Sequence, residues 1–328
     1  MDIIQKFIAR AKQRSKFLVL PESHDERIIL AARRLQDESV ANAVVLGKPD
    51  ELKDRANRAG VSLDGISIIN PEESDKLDAY AERYLAARPS ANIKVAQRLT
   101  RKPLFYGGMM VKAGDANAMI AGVANTTARV IEAGLMTVGL AADINTPSSF
   151  FLMSVPNFQG ETDKPFIYAD CAVNIDPTAE ELADIALASA VTYTRLFREE
   201  PRVALLSFST KGSAHHAHVD KVTEALAIAR ARAPGLAIDG ELQADSALIA
   251  RVAAMKVKGE SPVAGKANVL IFPNLDAGNI AYKLTQYMAG ARAIGPVLQG
   301  FAKPVSDLSR GASIDDIIVT AAILLAQA

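Results

Sequence analysis

An alternation of strand-like and helix-like segments at the start of the chain constrains the fold most strongly. Three apolar runs of strand length alternate with two segments of helical spacing, at residues 17–20, 28–35, 43–47, 49–59 and 66–69. A β-α-β-α-β order is typical of a parallel sheet whose faces are covered by helices. We therefore expect an α/β fold.

The same alternation resumes in the second half of the chain. Thr178 and Glu181 have the spacing of a capping box, which predicts a helix that runs to about residue 197. Further strands are predicted at 202–207, 236–240, 267–272 and 293–298, and further helices at 219–232, 278–288 and 313–326. No low-complexity linker interrupts the chain, so we expect two α/β units with a boundary near residues 143–150.

Composition excludes several kinds of partner and site. The 37 basic residues balance 37 acidic residues, which argues against a polyanionic partner such as nucleic acid. A single cysteine, Cys171, excludes an intramolecular disulfide framework and thiolate zinc clusters, and we expect it to be a packed core residue.

No segment predicts a membrane span. The longest apolar stretch, residues 317–326, is far shorter than the roughly 20 residues that cross a bilayer. The basic amphipathic segment 1–16 has two interpretations, a transit peptide or a first helix of the fold. The helical spacing of Ile3, Ile4 and Phe7, with a strand close behind, favours the helix. We therefore expect a cytoplasmic location and no membrane partner.

Several common catalytic motifs are missing from the sequence. It has no phosphate-binding P-loop, no G-x-G-x-x-G, no H-E-x-x-H, no C-x-x-C and no G-x-S-x-G. Three of the four histidines, His215, His216 and His218, lie together. They form either a metal site or a solvated loop that leads into a helix, and we favour the loop because no carboxylate at suitable spacing completes a ligand set.

The densest group of reactive side chains is the segment 303–316, KPVSDLSRGASIDD. A hydroxyl, a guanidinium and a glycine precede a helix start, where free N–H groups and the helix dipole favour an anion. One interpretation is a phosphoryl or oxyanion site. The other is that Ser313 and Asp316 merely cap the helix and Arg310 is a surface residue. The residues alone give the two equal weight.

The segment 303–316 resembles the signature of the phosphate acetyltransferase family, also called phosphotransacetylases. The resemblance extends over essentially the whole chain, in the same order. The matching runs are LPE with Arg27, Ser148–Met153, Ser209–Ala214, Asp239–Gln243, Ser261–Val269 and Gly278–Lys283. It implies the reaction acetyl-CoA + phosphate ⇌ CoA + acetyl phosphate.

The resemblance also implies an architecture. The expected fold has two α/β/α sandwich domains with a cleft between them, similar to isocitrate and isopropylmalate dehydrogenases, in a homodimer. The C-terminal helix would return to the first domain. Domain I would then comprise residues 1–147 and 303–328, and domain II residues 148–302.

Residue roles follow from the same resemblance. Asp316 would take the proton of the CoA thiol, Arg310 would bind the phosphoryl group, and Ser309 would hydrogen-bond the reacting carbonyl or phosphate. Substrate contacts would come from Arg27, Arg88, Thr126, Thr127, Asn279 and Lys283. The two arginines of this set would hold CoA phosphates. CoA would be a substrate, and no metal or tightly bound cofactor is expected.

The difference in pKa between a thiol and a carboxyl limits how Asp316 can act as a base. Complete proton transfer from a free thiol to a free aspartate costs roughly 6 kcal/mol, because their pKa values are about 8.5 and 3.9. Asp316 therefore needs a raised pKa, or proton transfer must accompany attack on the acyl carbon.

One local departure from the family pattern affects CoA binding. Where the family carries Asp and, three residues later, a CoA-binding Arg, this sequence has Arg129 and Glu132. A helix-surface ion pair would survive the exchange, whereas the CoA contact from position 132 would not. Three other functions stay possible beside the phosphate acetyltransferase reaction. They are a propionyl- or butyryltransferase, a dehydrogenase of the related fold, and a non-catalytic protein that binds acyl phosphate or CoA.

Overall fold

The computed structural model describes residues 2–88 and 90–328, which form two compact units. Unit 1 comprises the described residues up to Ala141 together with Phe301–Ala328, and unit 2 comprises Ala142–Gly300. Each unit is an α/β structure, so the predicted fold class is confirmed. The functional domain bounds drawn from the resemblance stay a prediction.

The strands are numbered in chain order. They are β1 (Phe17–Leu20), β2 (Asn42–Leu46), β3 (Ser67–Ile69), β4 (Ala118–Ala121), β5 (Ser148–Val155), β6 (Lys164–Ala169), β7 (Val203–Leu206), β8 (Ile238–Leu242), β9 (Val269–Ile271), β10 (Arg292–Gln299) and β11 (Val305–Asp307).

The helices are numbered in the same way. They are α1 (Ile3–Lys12), α2 (Glu26–Asp37), α3 (Pro49–Ala59), α4 (Leu77–Ala86), α5 (Ile93–Thr100), α6 (Pro103–Ala113), α7 (Thr127–Thr137), α8 (Ala179–Phe197), α9 (Ala217–Arg232), α10 (Ala244–Leu248), α11 (Ala250–Lys256), α12 (Leu275–Met288) and α13 (Ile314–Gln327). Among the described residues, no helix combines the length and the apolar character that a bilayer crossing requires.

The sheet of unit 1 is parallel throughout. Its strand order is β11-β4-β1-β2-β3. The C-terminal strand therefore lies beside β4, which lies beside the first strand of the chain. Because the strands are parallel, their carboxyl ends share one edge of the sheet, where ligand sites of open α/β sheets are typically found.

The sheet of unit 2 is mixed. Its order is β10-β5-β6-β9-β7-β8. The pairs β10–β5 and β5–β6 are antiparallel, and the remaining pairs are parallel. The register of β10 shifts between Ile294 and Val297, at the Gly295-Pro296 pair.

The C-terminal helix α13 is part of the core of unit 1. It packs against α1 and α2, and its apolar run is buried from Ile317 to Ala326 apart from Val319. At its end, the Nζ of Lys16 donates to the carbonyls of Leu325 and Ala328 at 2.8 and 2.5 Å. A cation at a helix C-terminus satisfies free carbonyls and complements the helix dipole.

The elements predicted from periodicity are present, with small shifts of their ends. The segment 1–16 contains helix α1, and the box of Thr178 and Glu181 caps α8. Strand β8 runs to Leu242, two residues beyond the predicted end, and Leu242 pairs with Leu206 of β7. Its Asp239 and Glu241 are buried with partners. Lys211 and Ser261 bind Asp239.

Two smaller predictions also have an outcome. Cys171 is fully buried, and burial raises the pKa of its thiol well above the usual value. In the histidine segment, His216 caps α9, since its Nδ1 accepts from the amide of His218. Within residues 2–88 and 90–328, no group of three His, Cys, Asp or Glu side chains has the geometry to hold a metal.

The close packing of α6 on α7 gives a stability test. A Cβ on Gly108 would overlap the Thr137 hydroxyl and would lie 2.9 Å from the Thr137 Cβ. Gly108→Ala should therefore lower the free energy of unfolding by about 1–2 kcal/mol, although alanine favours a helix by about 1 kcal/mol. Chemical denaturation measures the change. Gly235→Ala, whose Cβ meets nothing within 4 Å, is the control, and equal effects of both substitutions would contradict the close packing.

Candidate active site

The candidate site lies in unit 1, at the carboxyl ends of three neighbouring strands. Glu22 follows β1, Gly122 follows β4, and Asp307 ends β11. The same edge carries the N-termini of α7 and α13, which begin after Thr126 and Ser313. The topology thus brings segments near residues 22, 122 and 307 together, although they are far apart in the sequence.

Glu22 organises the loop between β4 and α7. Its carboxylate is 1% exposed and accepts hydrogen bonds from the backbone amides of Val123 at 2.9 Å, Ala124 at 3.3 Å and Asn125 at 2.8 Å. The side-chain amide of Asn125 adds a fourth at 2.6 Å. These donors compensate the desolvation of a buried charge, so the loop has one preferred conformation.

Asp307 is a second buried carboxyl, 2% exposed. Burial raises its pKa to about 6, the hydrogen bond donated by the Thr127 hydroxyl to Oδ2 opposes this rise, and the charge of Glu22 adds to it. Its Oδ1 is buried and has no hydrogen-bond partner among the described residues. A Cβ at Gly122 would overlap this oxygen, and Gly122 also has a φ of +108°, so glycine is required there.

The loop after β11 presents Ser309 with an available proton. Its Oγ accepts from the amide of Gly311 at 3.2 Å, and its carbonyl accepts from the amide of Ala312 at 2.8 Å. In the described part of the chain, no acceptor takes the hydroxyl hydrogen of Ser309. The exposed hydroxyl can therefore donate to a substrate oxygen.

Arg310 is exposed and uncommitted. Across residues 2–88 and 90–328, its guanidinium makes no hydrogen bond or ion pair. A free guanidinium next to a helix N-terminus suits a phosphate or a developing oxyanion.

Asp316 caps the N-terminus of helix α13. It forms a capping box with Ser313: its Oδ2 accepts from the amide and the hydroxyl of Ser313, each at 2.8 Å. Its Oδ1 has no hydrogen-bond partner in the part of the chain that the structure describes. The neighbouring Asp315 is instead paired with Arg34 of α2. The predicted capping box is thus confirmed, and one oxygen of Asp316 stays open to accept a proton.

Arg27 has its guanidinium fully occupied. Nε and Nη2 bind the carboxylate of Asp25 at 3.0 and 2.7 Å. Nη1 donates to the carbonyls of Arg310 at 2.8 Å and Ala312 at 2.7 Å, and Nη2 also donates to the carbonyl of Val123 at 3.2 Å. These contacts use the five N–H groups of an arginine.

Arg88 is also committed, at the other end of α7. Its Nη1 donates to the carbonyl of Met136 at 2.6 Å and its Nη2 to that of Leu135 at 2.8 Å, and its guanidinium lies over the ring of Tyr84. The structure therefore separates Arg88 from Thr127 by the length of helix α7.

The exchanged charges form a surface ion pair, as the helical spacing predicts. Arg129 Nη1 lies 2.6 Å from Glu132 Oε2, and both side chains are about half exposed, at 50% and 44%. Arg129 and Glu132 therefore pair with each other on the helix surface, and neither is among the hydrogen-bond partners of Glu22 and Asp307.

The other predicted substrate contacts divide between the units. Thr127 lies against Asp307, and Thr126 is the exposed N-cap residue of α7, without a side-chain cap bond. Asn279 and Lys283 belong to α12 of unit 2, where the Asn279 amide donates to the carbonyl of Cys171 at 3.1 Å and Lys283 is exposed.

Two buried carboxyls, Glu22 and Asp307, received no role from the sequence. Glu22 lies two residues after the apolar strand β1, and Asp307 is the last residue of the short polar strand β11. The carboxyl ends of these parallel strands meet at one edge of the sheet. The predicted strand before Glu22 was the available signal, and no such signal preceded Asp307. Which backbone amides surround Glu22 depends on strand order, which the sequence did not reveal.

Comparisons with known proteins agree with one another. A model of the family described as phosphate acetyl/butaryl transferase matches residues 2–325. A phosphate acetyltransferase of Acetivibrio thermocellus is 45% identical over 330 residues, covering 100% of this chain and 98% of the relative. The crystal structure of a phosphotransacetylase from Streptococcus pyogenes has a TM-score of 0.91 at 39% identity, covering 99% of this chain and 97% of that one.

A more distant structure shares the fold alone. The 4-hydroxythreonine-4-phosphate dehydrogenase of Klebsiella pneumoniae has a TM-score of 0.56 at 14% identity, covering 96% of this chain and 100% of that one. The expected likeness of the fold to dehydrogenases is thereby confirmed.

The raised pKa of Asp307 predicts a pH-dependent contribution to stability. The folded state retains the proton up to about pH 6, whereas the unfolded chain loses it near pH 4, so stability from this group is lost as pH rises through 6. The unfolding free energy of the wild type minus that of Asp307→Asn should fall by about 2 kcal/mol between pH 4.5 and pH 8. Urea denaturation at both pH values measures this difference.

Asp50→Asn serves as the control for the loss of a carboxylate in the same unit, because its side chain is 98% exposed. If the Asp307 difference has no more pH dependence than this control, the raised pKa is wrong.

Proposed function

This chain belongs to the phosphate acetyl/butaryl transferase family, and we propose that it transfers an acetyl group between coenzyme A and phosphate. It is an acyltransferase, and the reaction is acetyl-CoA + phosphate ⇌ CoA + acetyl phosphate. One observation supports the chemistry most directly. The loop 308–316 presents a free guanidinium, a free hydroxyl proton and an open carboxylate oxygen on one short segment.

The chemical step is a direct displacement at the acetyl carbonyl. The CoA sulfur attacks the carbonyl carbon of acetyl phosphate, the new S–C bond forms, and the bond between that carbon and the phosphate oxygen breaks. Oδ1 of Asp316 takes the thiol proton as the sulfur attacks. Concerted transfer avoids the roughly 6 kcal/mol cost of first forming a free thiolate with an ordinary carboxylate.

Arg310 and Ser309 stabilise the charge that develops. The guanidinium of Arg310 binds the phosphoryl oxygens and favours the departure of phosphate, and the hydroxyl of Ser309 donates to the carbonyl oxygen as it becomes negative. The three residues thus supply a base, an anion ligand and an oxyanion donor. No covalent intermediate with the chain is needed.

CoA is a dissociable substrate in this proposal. Thr126 and Thr127 would contribute hydroxyls from the start of α7, and Asn279 and Lys283 would contribute from α12. Arg88 would hold a CoA phosphate, which requires it to exchange its carbonyl partners Leu135 and Met136 for the phosphate. The cytoplasm is the proposed location.

The central test measures thioester formation from CoA and acetyl phosphate. Arg310→Ala should lower kcat by about 10²-fold or more, since it removes a charged donor to the transition state. Asp316→Asn should lower kcat by about 10²–10⁴-fold, since it removes the base while an amide oxygen still caps the helix. Both variants should keep the unfolding profile of the wild type.

Asp315→Asn is the matched control, because it neutralises the adjacent carboxylate that pairs with Arg34 and should leave kcat within a few fold. Wild-type rates in both site variants would overturn the residue assignment. Propionyl and butyryl phosphate belong in the same assay, and we expect acetyl phosphate to react fastest. A higher rate with a longer chain would favour the related acyltransferase, and CoA binding without turnover would favour a non-catalytic binding protein.

We also propose that the chain forms a homodimer through α12. Four large apolar side chains lie exposed on this helix at helical spacing: Ile280, Leu284, Tyr287 and Met288. The last two are each 81% exposed. A contiguous apolar stripe of this kind is typical of a surface that a partner covers, and a second copy is the partner expected from the family resemblance.

Light scattering tests the homodimer. The wild type should have twice the mass of one chain, and a double substitution, Leu284→Glu with Tyr287→Glu, should have the mass of a single chain because charges are costly in an apolar interface. Val191→Glu is the control, since Val191 is a half-exposed apolar residue on α8. A monomeric wild type would exclude the homodimer, and a dimeric double variant would exclude this surface.

A further inference from the structure

The guanidinium of Arg27 is used differently from that of Arg310. Arg310 has no partner among residues 2–88 and 90–328, whereas every N–H of Arg27 has an acceptor within the protein. We propose that Arg27 is a positioning residue that fixes the loop carrying Ser309 and Arg310, and that it is not a ligand of the CoA phosphates. This inference rests on the proposed acyl transfer and deepens it.

The loop needs an external support because its own hydrogen bonds are few. Within the turn, the amides of Gly311 and Ala312 bind only Ser309. The carbonyls of Arg310 and Ala312 both point to one nitrogen of Arg27, at 2.8 and 2.7 Å. Arg27 thereby fixes the backbone on both sides of Gly311, and the direction of the Arg310 side chain follows from that backbone.

The same guanidinium connects this loop to the loop between β4 and α7. Arg27 donates to the carbonyl of Val123 at 3.2 Å, while Glu22 accepts from the amide of the same residue at 2.9 Å. Val123 is thus held through both of its backbone polar groups. The hydroxyl-bearing start of α7 and the loop of Arg310 are consequently fixed relative to one another through one side chain.

Asp25 orients the guanidinium for this task. Its carboxylate caps α2 by accepting from the backbone amide of Arg27 at 3.0 Å, and it binds the side chain of the same residue in a two-bond fork. The charged hydrogen bonds from Arg27 lower the pKa of Asp25. Lysine has three donors around a single point charge and cannot reproduce five planar contacts.

A phosphate ligand and a positioning residue differ in their dependence on the substrate. Loss of a phosphate ligand matters only when the substrate carries the phosphate. Loss of a positioning residue lowers the rate equally for a substrate without phosphates. Pantetheine provides this comparison, because it has the thiol arm of CoA and no phosphate.

The experiment measures kcat and KM with CoA and with pantetheine for the wild type, Arg27→Ala and Arg27→Lys. Arg33→Ala is the matched control: Arg33 also lies on α2, pairs with Asp37 and donates to the carbonyl of Asp64 at 2.7 Å, away from the site. Both Arg27 variants should lose kcat on the order of 10²-fold with either thiol, because a displacement of about 1 Å has that effect on a reacting geometry. The KM for CoA should change by less than about threefold, since no CoA contact is lost.

Hydrogen exchange of the same proteins gives a readout that needs no turnover. Amides of residues 310–313 should exchange faster in Arg27→Ala than in the wild type. In Arg33→Ala, these amides should exchange at the wild-type rate. If the alanine variant does not fold, Arg27→Lys provides the same test, through its loss of kcat with CoA compared with its loss of kcat with pantetheine.

Two results would overturn the inference. One is a loss of activity with CoA that is absent with pantetheine, which would make Arg27 a phosphate ligand. The other is a loss no larger than that of Arg33→Ala, together with unchanged exchange at 310–313. A wild type without acyl transfer would instead contradict the proposed function, and hydrogen exchange would still decide whether Arg27 fixes the loop.

Discussion

The carboxylate of Glu22 is the interaction on which the rest of the site depends. It is buried at the end of β1 and satisfied by amides from the loop after β4, so it joins two strands where the sheet ends. A buried charge without these donors would be costly, and the loop without this acceptor would leave its own amides unpaired. Each part therefore requires the other. The loop leads into α7, whose first residue, Thr127, donates its hydroxyl hydrogen to Asp307 at the end of β11.

The sequence predicted the alternation of strands and helices in both units. It did not predict the elements between residues 70 and 177, the short helices α10 and α11, or strand β11. Helix α6 has eight consecutive buried residues from Leu104 to Val111, so it shows no amphipathic period. Strand β5 is buried on both faces throughout and shows no alternation. Periodicity reports a contrast between a buried and a solvated face, and elements without that contrast are not detected by it.

The site shows a different limit. The resemblance nominated Arg27, Arg88, Arg129 and Arg310 as charges of interest, and the residue type is the same at each position. The structure distinguishes the four arginines by their hydrogen-bond partners. The partners of Arg27 and Arg88 include residues that are distant in the sequence. Arg27 reaches a carbonyl 283 positions away in the chain, and Arg88 reaches one 48 positions away. Only the neighbouring ion pair of Arg129 and Glu132 was available from local spacing.

The place of β11 in the sheet bears on how the protein is made. Strand β4 gains its second neighbour only when residues 305–307 have been synthesised, after all of unit 2. Until then β4 presents an unpaired edge, of the kind that invites pairing with other chains. The loop of Ser309 and the N-terminus of α13 arrive in the same final stretch. A chain released early by the ribosome thus lacks both the segment of Ser309, Arg310 and Asp316 and the strand that completes the first sheet.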